Sequence, residues 1–154
     1  MAFHSGFVCI LGRTNAGKST LLNALVGEKL AIVSPKPQTT RNRILGIIQI
    51  HKQKGKAGGQ IILIDTPGVH KADTSLGRRM MSEVREAAEG CNLVLLIIDA
   101  TRRFGAEDQA VLDALKKSKA PSILLLNKLD LIRGGKEKLL PLISHYSGQH
   151  AFQE

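Results

Sequence analysis

The stretch GRTNAGKS, at residues 12–19, decides how the rest of the chain is interpreted. It follows the apolar run GFVCIL at 6–11, which predicts a buried strand, and it leads into KSTLLNALVG at 18–27, which predicts a helix ending near Gly27. The stretch fits the pattern G-x-x-x-x-G-K-[ST], in which glycines let the backbone bend around a chain of phosphates. A plain glycine-rich turn is the alternative, but the strand before the loop and the helix after it favour phosphate binding.

Four residues of this loop carry the expected chemistry. Gly12 and Gly17 permit the bend and the close approach of backbone N–H groups to phosphate, and the helix N-terminus adds partial positive charge. We expect Lys18 to reach the β- and γ-phosphates and the hydroxyl of Ser19 to bind Mg²⁺. The loop therefore predicts a nucleoside triphosphate as ligand.

Downstream of the loop, apolar runs alternate with helical segments. Four near-continuous aliphatic strands, separated mostly by helices, predict a parallel sheet that is covered on both faces. The runs at 43–50 and 60–65 are joined by a short basic turn and predict one antiparallel edge hairpin. The fold class is thus α/β, with a doubly wound, mostly parallel sheet. The other predicted elements are helices at 75–90, 106–118 and 138–147 and strands at 93–99 and 121–127.

The composition narrows the class of protein. A chain of 154 residues that is 43% hydrophobic can form one domain and is too short for two. Neither a signal peptide nor an apolar run of membrane-spanning length is visible, so we expect a cytoplasmic protein with Cys9 and Cys91 as buried thiols. The net charge of +9 suits an anionic partner, and a solvated basic surface explains it equally well. Aromatic residues make up 3% of the chain, which argues against a base-stacking platform.

The stretch IDTPGV, at 64–69, supplies a second candidate motif. Asp65 ends a strand that is predicted to run parallel to the first, where a carboxylate can hold Mg²⁺ through a water. The backbone N–H of Gly68 could then contact the γ-phosphate. A turn or helix cap is the alternative role of Asp65. Val69 follows, with a side chain that can neither take a proton nor orient a water.

The tetrapeptide NKLD, at 127–130, predicts the base. Guanine presents N1–H and an exocyclic amine side by side, and the carboxylate of Asp130 can accept from both. Adenine lacks that amine and would leave the carboxylate unpaired, which is a costly mismatch. Asn127 and the Lys128 stem are expected to pack against the base and the phosphate loop. NKLD is weak alone, but after GRTNAGKS and DTPG it favours guanine and argues against an ATPase.

Two threonines lie in the segment after the first helix. A hydroxyl of Thr40 could bind Mg²⁺ when a γ-phosphate is present, which would make this segment a switch. Thr39 is the weaker candidate. Local backbone hydrogen bonds of loop threonines are the alternative for both.

Three stretches extend the argument to a family. LAIVSPKPQTTRNRILGI at 30–47, DTPGVHK at 65–71 and LGRRMM at 76–81 resemble the Era family of bacterial GTPases, and the resemblance covers nearly the whole chain. It implies a Ras-like P-loop fold that binds GTP or GDP with Mg²⁺, with Thr40 as the switch threonine. The nucleotide-binding residues that it implies are Gly12, Arg13, Thr14, Asn15, Ala16, Gly17, Lys18, Ser19, Thr20, Asp65, Thr66, Pro67, Gly68, Asn127, Lys128 and Asp130.

The resemblance also implies a biological setting. In this family the GTPase domain is followed by a KH-type RNA-binding domain. Its members bind the 3′ end of 16S rRNA, assist maturation of the small ribosomal subunit and associate with the inner membrane. The implied Mg²⁺ ligands are Ser19, Thr40 and Asp65.

The resemblance gives Val69 a reading as well. Ras-like proteins carry a water-orienting Gln at this position, whereas Era-like proteins carry a hydrophobic residue, so hydrolysis must rely on electrostatics and backbone positioning. Asn15 is the candidate ligand of a K⁺ ion beside the phosphates, and a loop Asn that tolerates a turn is the alternative. We therefore expect a slow GTPase that K⁺ stimulates. The candidate catalytic residues are Asn15, Lys18, Thr40 and Gly68, whereas Arg13 is expected to be solvated more readily than catalytic.

The C-terminal sequence SGQHAFQE, at 147–154, departs from the family pattern. The family continues into a further strand and a Ser-Ala motif that supports guanine, and neither follows residue 130 here. We expect residues 1–154 to be a GTPase domain that is incomplete at its C-terminus, with its final strand and the KH domain missing. The strand at 121–126 would then be an exposed hydrophobic edge, with weakened nucleotide affinity and self-association as consequences.

Three functions stay open from the sequence. The first is a K⁺-assisted GTPase that acts as a timer for ribosome assembly. The second is a nucleotide-dependent RNA- or ribosome-binding module in which hydrolysis is weak or absent. The third is a domain of a related tRNA-modification or tandem GTPase, against which PKPQTTRNR and DTPGVHK argue.

Overall fold

The predicted strands form one sheet in a computed structural model that describes residues 3–27, 43–54, 57–69 and 75–154, without the side chains of 43–45 and 65. Five strands lie in the order β2-β3-β1-β4-β5. Their boundaries agree with the sequence to within two residues. The strands are β1 (His4–Leu11), β2 (Arg43–Ile50), β3 (Gly59–Asp65), β4 (Leu93–Asp99) and β5 (Ser122–Asn127).

Four α-helices accompany the sheet in the described residues. The last one begins later than predicted, since a 3₁₀ turn at Lys136–Leu139 precedes it, and Pro141 stands in its first turn. None of the helices in the described parts of the chain is both long and apolar enough to cross a membrane. The helices are α1 (Lys18–Val26), α2 (Ser75–Glu89), α3 (Ala106–Ser118) and α4 (Leu140–Gln149).

The strand pairing confirms the doubly wound arrangement. β1 lies at the centre and is parallel to β3 on one side and to β4 on the other, while β5 is parallel to β4. β2 is antiparallel to β3 and forms the predicted edge hairpin. Because the chain leaves β1 toward one edge and returns for β4 on the other side, a crevice opens at the carboxyl end of β1.

Apolar residues cover both faces of the sheet. One buried cluster lies with α2 and α3 and includes Cys9, Val84 and Leu112, each fully buried. A smaller cluster on the opposite face contains Ile10, Ala16 and Ile97, against which leucines of α1 pack. Successive side chains of β1 alternate between these two clusters, and Ala16 of the loop that follows β1 packs in the smaller one. Cys9 and Cys91 are thiols that form no disulfide, as expected, although Cys91 is only partly buried.

The C-terminal tail changes the predicted edge of the sheet. Gln153 N donates to Ser122 O at 2.8 Å, and Leu124 N donates to Glu154 O at 2.9 Å. Ser122 Oγ also lies 2.8 Å from Nε2 of His150. The prediction of an exposed edge over 121–126 is therefore wrong at Ser122 and Leu124, because the tail satisfies backbone groups that an edge strand would leave open.

Acidification is expected to weaken this attachment of the tail. Burial, and to a smaller extent the charge of Lys116, lowers the pKa of His150. A histidine with a lowered pKa stabilises the fold above its ordinary pKa of about 6.5 and loses that contribution as the pH falls through the lowered value. We expect the free energy of unfolding, measured in urea, to fall more between about pH 7 and pH 5 in the unaltered chain than in His150→Gln, because glutamine can still accept from Ser122 but does not titrate. Parallel pH curves for the two proteins would contradict the assignment.

Candidate functional site

The loop at residues 12–17 lies in the crevice that the sheet opens. It begins after β1 ends at Leu11 and finishes where α1 starts at Lys18, with Gly17 as the helix N-cap at φ 107°. Both Gly12 and Gly17 exclude a side chain. A Cβ atom on Gly12 would lie 2.5 Å from the carbonyl oxygen of Ile97, and one on Gly17 would overlap Nδ2 of Asn127. The loop thus requires glycine at both places, as its motif predicts.

Asn127 joins the two predicted motifs. Its Nδ2 donates to the carbonyl oxygen of Ala16 at 2.9 Å. Asn127 stands at the end of β5, two strands away from the loop in the sheet. The end of the NKLD strand is therefore fixed against the loop, as the sequence predicts for this side chain.

The ammonium group of Lys18 is bound to the backbone of the loop. Its Nζ donates to the carbonyl oxygens of Gly12 at 2.9 Å and Arg13 at 2.8 Å. Gly68 lies beside this ammonium, since a Cβ atom there would be 3.3 Å from Nζ and 3.0 Å from Thr14 Oγ1. The structure thus brings the glycine of DTPG into contact with the loop. Pro67, which precedes it, is half-buried.

Thr66 and Val69 point away from this contact. Thr66 Oγ1 donates to Ile10 O at 2.6 Å, and the residue is buried. Val69 is 1% exposed and belongs to the core cluster that includes Val84. Val69 N donates to Gly12 O, and Val69 O accepts from Thr14 N, each at 3.4 Å, which makes a short parallel bridge with the loop. The valine side chain therefore serves packing and does not face the crevice.

Arg13 is bound by two carboxylates, which neither of its expected roles included. Its Nε lies 2.8 Å from Oε2 of Glu107, and its Nη1 lies 2.8 Å from Oδ2 of Asp108. Burial opposes the charge, but Asp108 and then Glu107 outweigh it, so the pKa of the guanidinium is raised. With 17% of its side chain exposed, Arg13 is neither a solvated loop residue nor a free catalytic cation. Its side chain is bound to the start of α3.

Lys128 has a partner that the sequence did not indicate. Its Nζ donates to Oδ2 of Asp99 at 2.8 Å, and Thr101 N donates to Oδ1 of the same carboxylate at 3.0 Å. Burial favours protonation of Asp99, but the bonds from Lys128 and Thr101 outweigh burial and lower its pKa. Asp99 is paired with Asn127 in the register of β4 and β5. Its place at the carboxyl end of a parallel strand was the signal that could have identified it.

These elements enclose a cleft of about 520 Å³. This is within the range of small-molecule sites, and its lining carries hydroxyl, amide, ammonium and carboxylate groups. Asn15 is exposed there at φ 61°, a left-handed conformation that asparagine tolerates. The cleft is lined by Asn15, Gly17, Lys18, Ser19, Thr20, Asn127, Lys128 and Asp130.

The expected Mg²⁺ ligands are only partly described. Ser19 is exposed in the first turn of α1 and lines the cleft. Asp65 ends β3 beside β1, but its side chain is not described, and Thr39 and Thr40 lie outside the described residues.

Substitution of Gly17 tests the loop geometry. Gly17→Ala should destabilise the fold by about 1–3 kcal/mol, because alanine is strained at positive φ and its methyl group would displace Asn127 from Ala16. Gly148→Ala in α4 is the matched control, since a Cβ atom there meets nothing within 4 Å and alanine favours helix. Thermal unfolding of the two variants measures the difference. Equal stability would show that the loop can relax around a methyl group.

Comparison with known proteins agrees with this geometry. A family model described as 50S ribosome-binding GTPase matches residues 7–128. GTPase Era of Syntrophus aciditrophicus is 47% identical over 152 residues, which cover 99% of this chain and 47% of the relative. GTPase Era of Ruminiclostridium cellulolyticum is 48% identical over 147 residues, with coverage of 96% and 47%. The chain thus spans about half the length of the curated relatives it matches.

Solved structures give the same result. A variant of Aquifex aeolicus Era bound to GDP·AlF4⁻ has a TM-score of 0.73 at 38% identity and covers 97% of this chain and 49% of its own. Era in complex with MgGDPNP and nucleotides 1506–1542 of 16S ribosomal RNA also has a TM-score of 0.73, at 37% identity, with coverage of 99% and 50%. The predicted Ras-like P-loop fold and the resemblance to Era are confirmed. With its family model matched over residues 7–128, this chain belongs to the GTPase family described as 50S ribosome-binding GTPase.

Proposed function

We propose that this chain binds GTP and GDP and hydrolyses GTP slowly, as the GTPase domain of an Era-like protein. The observation that carries the proposal is the hydrogen bond from Asn127 Nδ2 to Ala16 O at 2.9 Å. It holds the NKLD motif against the phosphate loop, so that Asp130 and Lys18 line one cleft. One nucleotide can then meet a base-reading carboxylate at one end and a phosphate-binding ammonium at the other.

Base selection rests on Asp130. Its exposed carboxylate is available to accept from N1–H and the exocyclic amine of guanine, and adenine would leave it unpaired. Asn127 holds the strand end in place. The ion pair between Lys128 and Asp99 fixes the lysine ammonium, which keeps its stem positioned to pack against a base.

Phosphate binding rests on the loop and Lys18. In the structure the Lys18 ammonium is bound to two loop carbonyls, and phosphate oxygens at the same place would be stronger acceptors for it. The first turn of α1, with Ser19 and Thr20, contributes backbone N–H groups at the helix N-terminus. Ser19, Thr40 and Asp65 would hold Mg²⁺, with Asp65 acting through a water. A bound Mg²⁺ would neutralise charge between the phosphates.

Hydrolysis in this site would depend on the backbone. Because the side chain after Gly68 is a buried valine, it cannot orient the attacking water. We assign stabilisation of the charge that develops on the γ-phosphate to the backbone N–H of Gly68, beside Lys18, and to fixed positive charge in the cleft. Asn15 is the proposed ligand of a K⁺ ion that adds to this charge.

The wider role is proposed for a longer protein of which such a domain is part. The complex of Era with 16S ribosomal RNA supports binding to that RNA and to the small ribosomal subunit, and the basic net charge of +9 is compatible with it. Peripheral association with the inner membrane rests on the family resemblance, and a cytoplasmic location is proposed with it. Self-association is proposed only through the part of the β5 edge that the tail leaves open.

A second candidate is a nucleotide-dependent RNA- or ribosome-binding module whose hydrolysis is incidental. The burial of Val69 favours it, since a site without a water-orienting side chain at this position is expected to turn over slowly. A related tRNA-modification or tandem GTPase is disfavoured by the relatives, which are named Era.

Competition for a fluorescent GDP analogue tests the base preference. GTP should displace the analogue and ATP should not. Asp130→Ala should weaken binding at least about tenfold, because two hydrogen bonds to a carboxylate are lost. Asp113→Ala, on the exposed side of α3, is the control and should bind normally. Displacement by ATP, or normal binding by Asp130→Ala, would refute guanine recognition by this residue.

Turnover in K⁺ and in Na⁺ tests the role of Asn15. We expect faster hydrolysis in K⁺ and loss of that difference in Asn15→Gly. Glycine accepts the left-handed backbone at φ 61°, so this variant removes the side-chain oxygen without the strain that alanine would add. Asn23→Ala, at an exposed position on α1, controls for surface effects. A K⁺ response that survives in Asn15→Gly would refute the assignment.

A further inference from the structure

We propose that Arg13 is a positioning residue through which α3 and α4 set the geometry of the phosphate loop and of Gly68. The proposal rests on the proposed GTP hydrolysis, for which that geometry matters. It assigns a task to side chains that lie outside the cleft. The elements involved are the start of α3, which carries Glu107 and Asp108, and the buried Tyr146 of α4.

The Arg13 guanidinium is anchored at the start of α3. Arg13 bonds two neighbouring carboxylates with two different nitrogens, at 2.8 Å each. The exposed fractions of the side chains are 17% for Arg13, 24% for Glu107 and 6% for Asp108. A forked, largely buried arrangement of this kind fixes direction far better than an exposed ion pair.

Asp108 is itself held in place by its surroundings. Gly105 N donates to Asp108 Oδ2 at 2.9 Å, which caps α3. Tyr146 is buried on the other side of this carboxylate: burial, followed by the charge of Asp108, raises the pKa of Tyr146, so the phenol keeps its proton and can donate to Asp108. Tyr146 is 1% exposed and packs edge-on against Phe104, with ring centroids 5.3 Å apart. The carboxylate that holds Arg13 is therefore fixed by the cap of α3 and lies beside the buried phenol of α4.

The backbone at Arg13 contacts both Lys18 and Val69. Its carbonyl oxygen accepts from Lys18 Nζ at 2.8 Å. The backbone groups on either side of it, Gly12 O and Thr14 N, pair with Val69. Gly68 directly precedes Val69, so a shift of Arg13 would move both the lysine and the glycine that are proposed to meet the γ-phosphate. Displacements of about 1 Å in such groups can cost two orders of magnitude in rate.

A purely structural ion pair would behave differently. It would lower the stability of the fold, and hydrolysis would fall only in proportion to the folded fraction. A positioning role predicts that the rate at saturating GTP falls while GDP affinity changes little, because the loop still exists but its alignment with Gly68 is lost.

The test compares Tyr146→Phe and Asp108→Asn with the unaltered chain. Tyr146→Phe removes one oxygen and keeps the buried ring, whereas Asp108→Asn removes the charge and keeps the shape. We expect single-turnover hydrolysis at saturating GTP to fall about tenfold in Asp108→Asn and by a smaller factor in Tyr146→Phe, with the Kd for GDP within about threefold. Asp113→Asn, on the exposed side of the same helix, should match the unaltered chain. An unchanged rate in both variants, or a Kd that rises as much as the rate falls, would overturn the proposal.

Amide hydrogen exchange separates this proposal from the proposed function. In nucleotide-free protein, the amides of Thr14 and Val69 should exchange faster in Asp108→Asn and in Tyr146→Phe than in the unaltered chain and in Asp113→Asn. This result is expected whether or not the chain hydrolyses GTP. Failure of the unaltered chain to bind guanine nucleotide would refute the proposed function, whereas unchanged exchange at these two amides would refute the positioning role.

Discussion

The hydrogen bond from Asn127 to the carbonyl oxygen of Ala16 is the contact on which the site depends. It spans 111 positions in the chain and joins the end of β5 to the loop after β1. It can form only if β4 lies between these strands in the observed register, where Asp99 is level with Asn127. It also requires Gly17 to lack a side chain, since a methyl group would occupy the place of the amide. Sheet order, strand register and one glycine are thus linked through a single donor and acceptor.

Three ion pairs lie at the carboxyl end of the sheet. Asp99 binds Lys128, and Glu107 and Asp108 bind Arg13. Carboxylates from other elements thus hold the lysine of NKLD and the arginine of the phosphate loop. Burial disfavours the charged form of Asp99, but the bonds from Lys128 and Thr101 outweigh burial and keep the pKa of Asp99 below its ordinary value. The sign of the effect favours ionised Asp99 at neutral pH, with the bond to Lys128 lost only under acid conditions near or below the ordinary pKa of an aspartate. The end of the sheet that would receive a nucleotide therefore carries charged side chains that are held in fixed positions.

Much of this could be predicted from the sequence, because its signals are local. The strand boundaries follow from apolar runs, and the loop, DTPG and NKLD each occupy the end of a strand, where parallel strands meet. The partners of Arg13 could not be predicted, since they lie about 95 positions away and a lone arginine in a loop has no pattern. Asp99, about 30 positions from Lys128, was marked only by its place at the carboxyl end of β4. The tail was misjudged for a similar reason. Its residues carry no strand signal, and the open backbone groups of Ser122 and Leu124 determine where it binds.

Val69 contacts both the hydrophobic core and the phosphate loop. Its side chain contributes to the core between β1 and α2, and its backbone bridges the loop at Gly12 and Thr14. A polar residue at this position would have to leave the core or bury an unpaired group, and both would weaken the bridge. The hydrophobic residue thus has a positive role, since it ties Gly68 to the loop through the backbone. A site built in this way gives up a side chain that could orient water, and the proposed hydrolysis would then depend on how firmly the loop is held from α3.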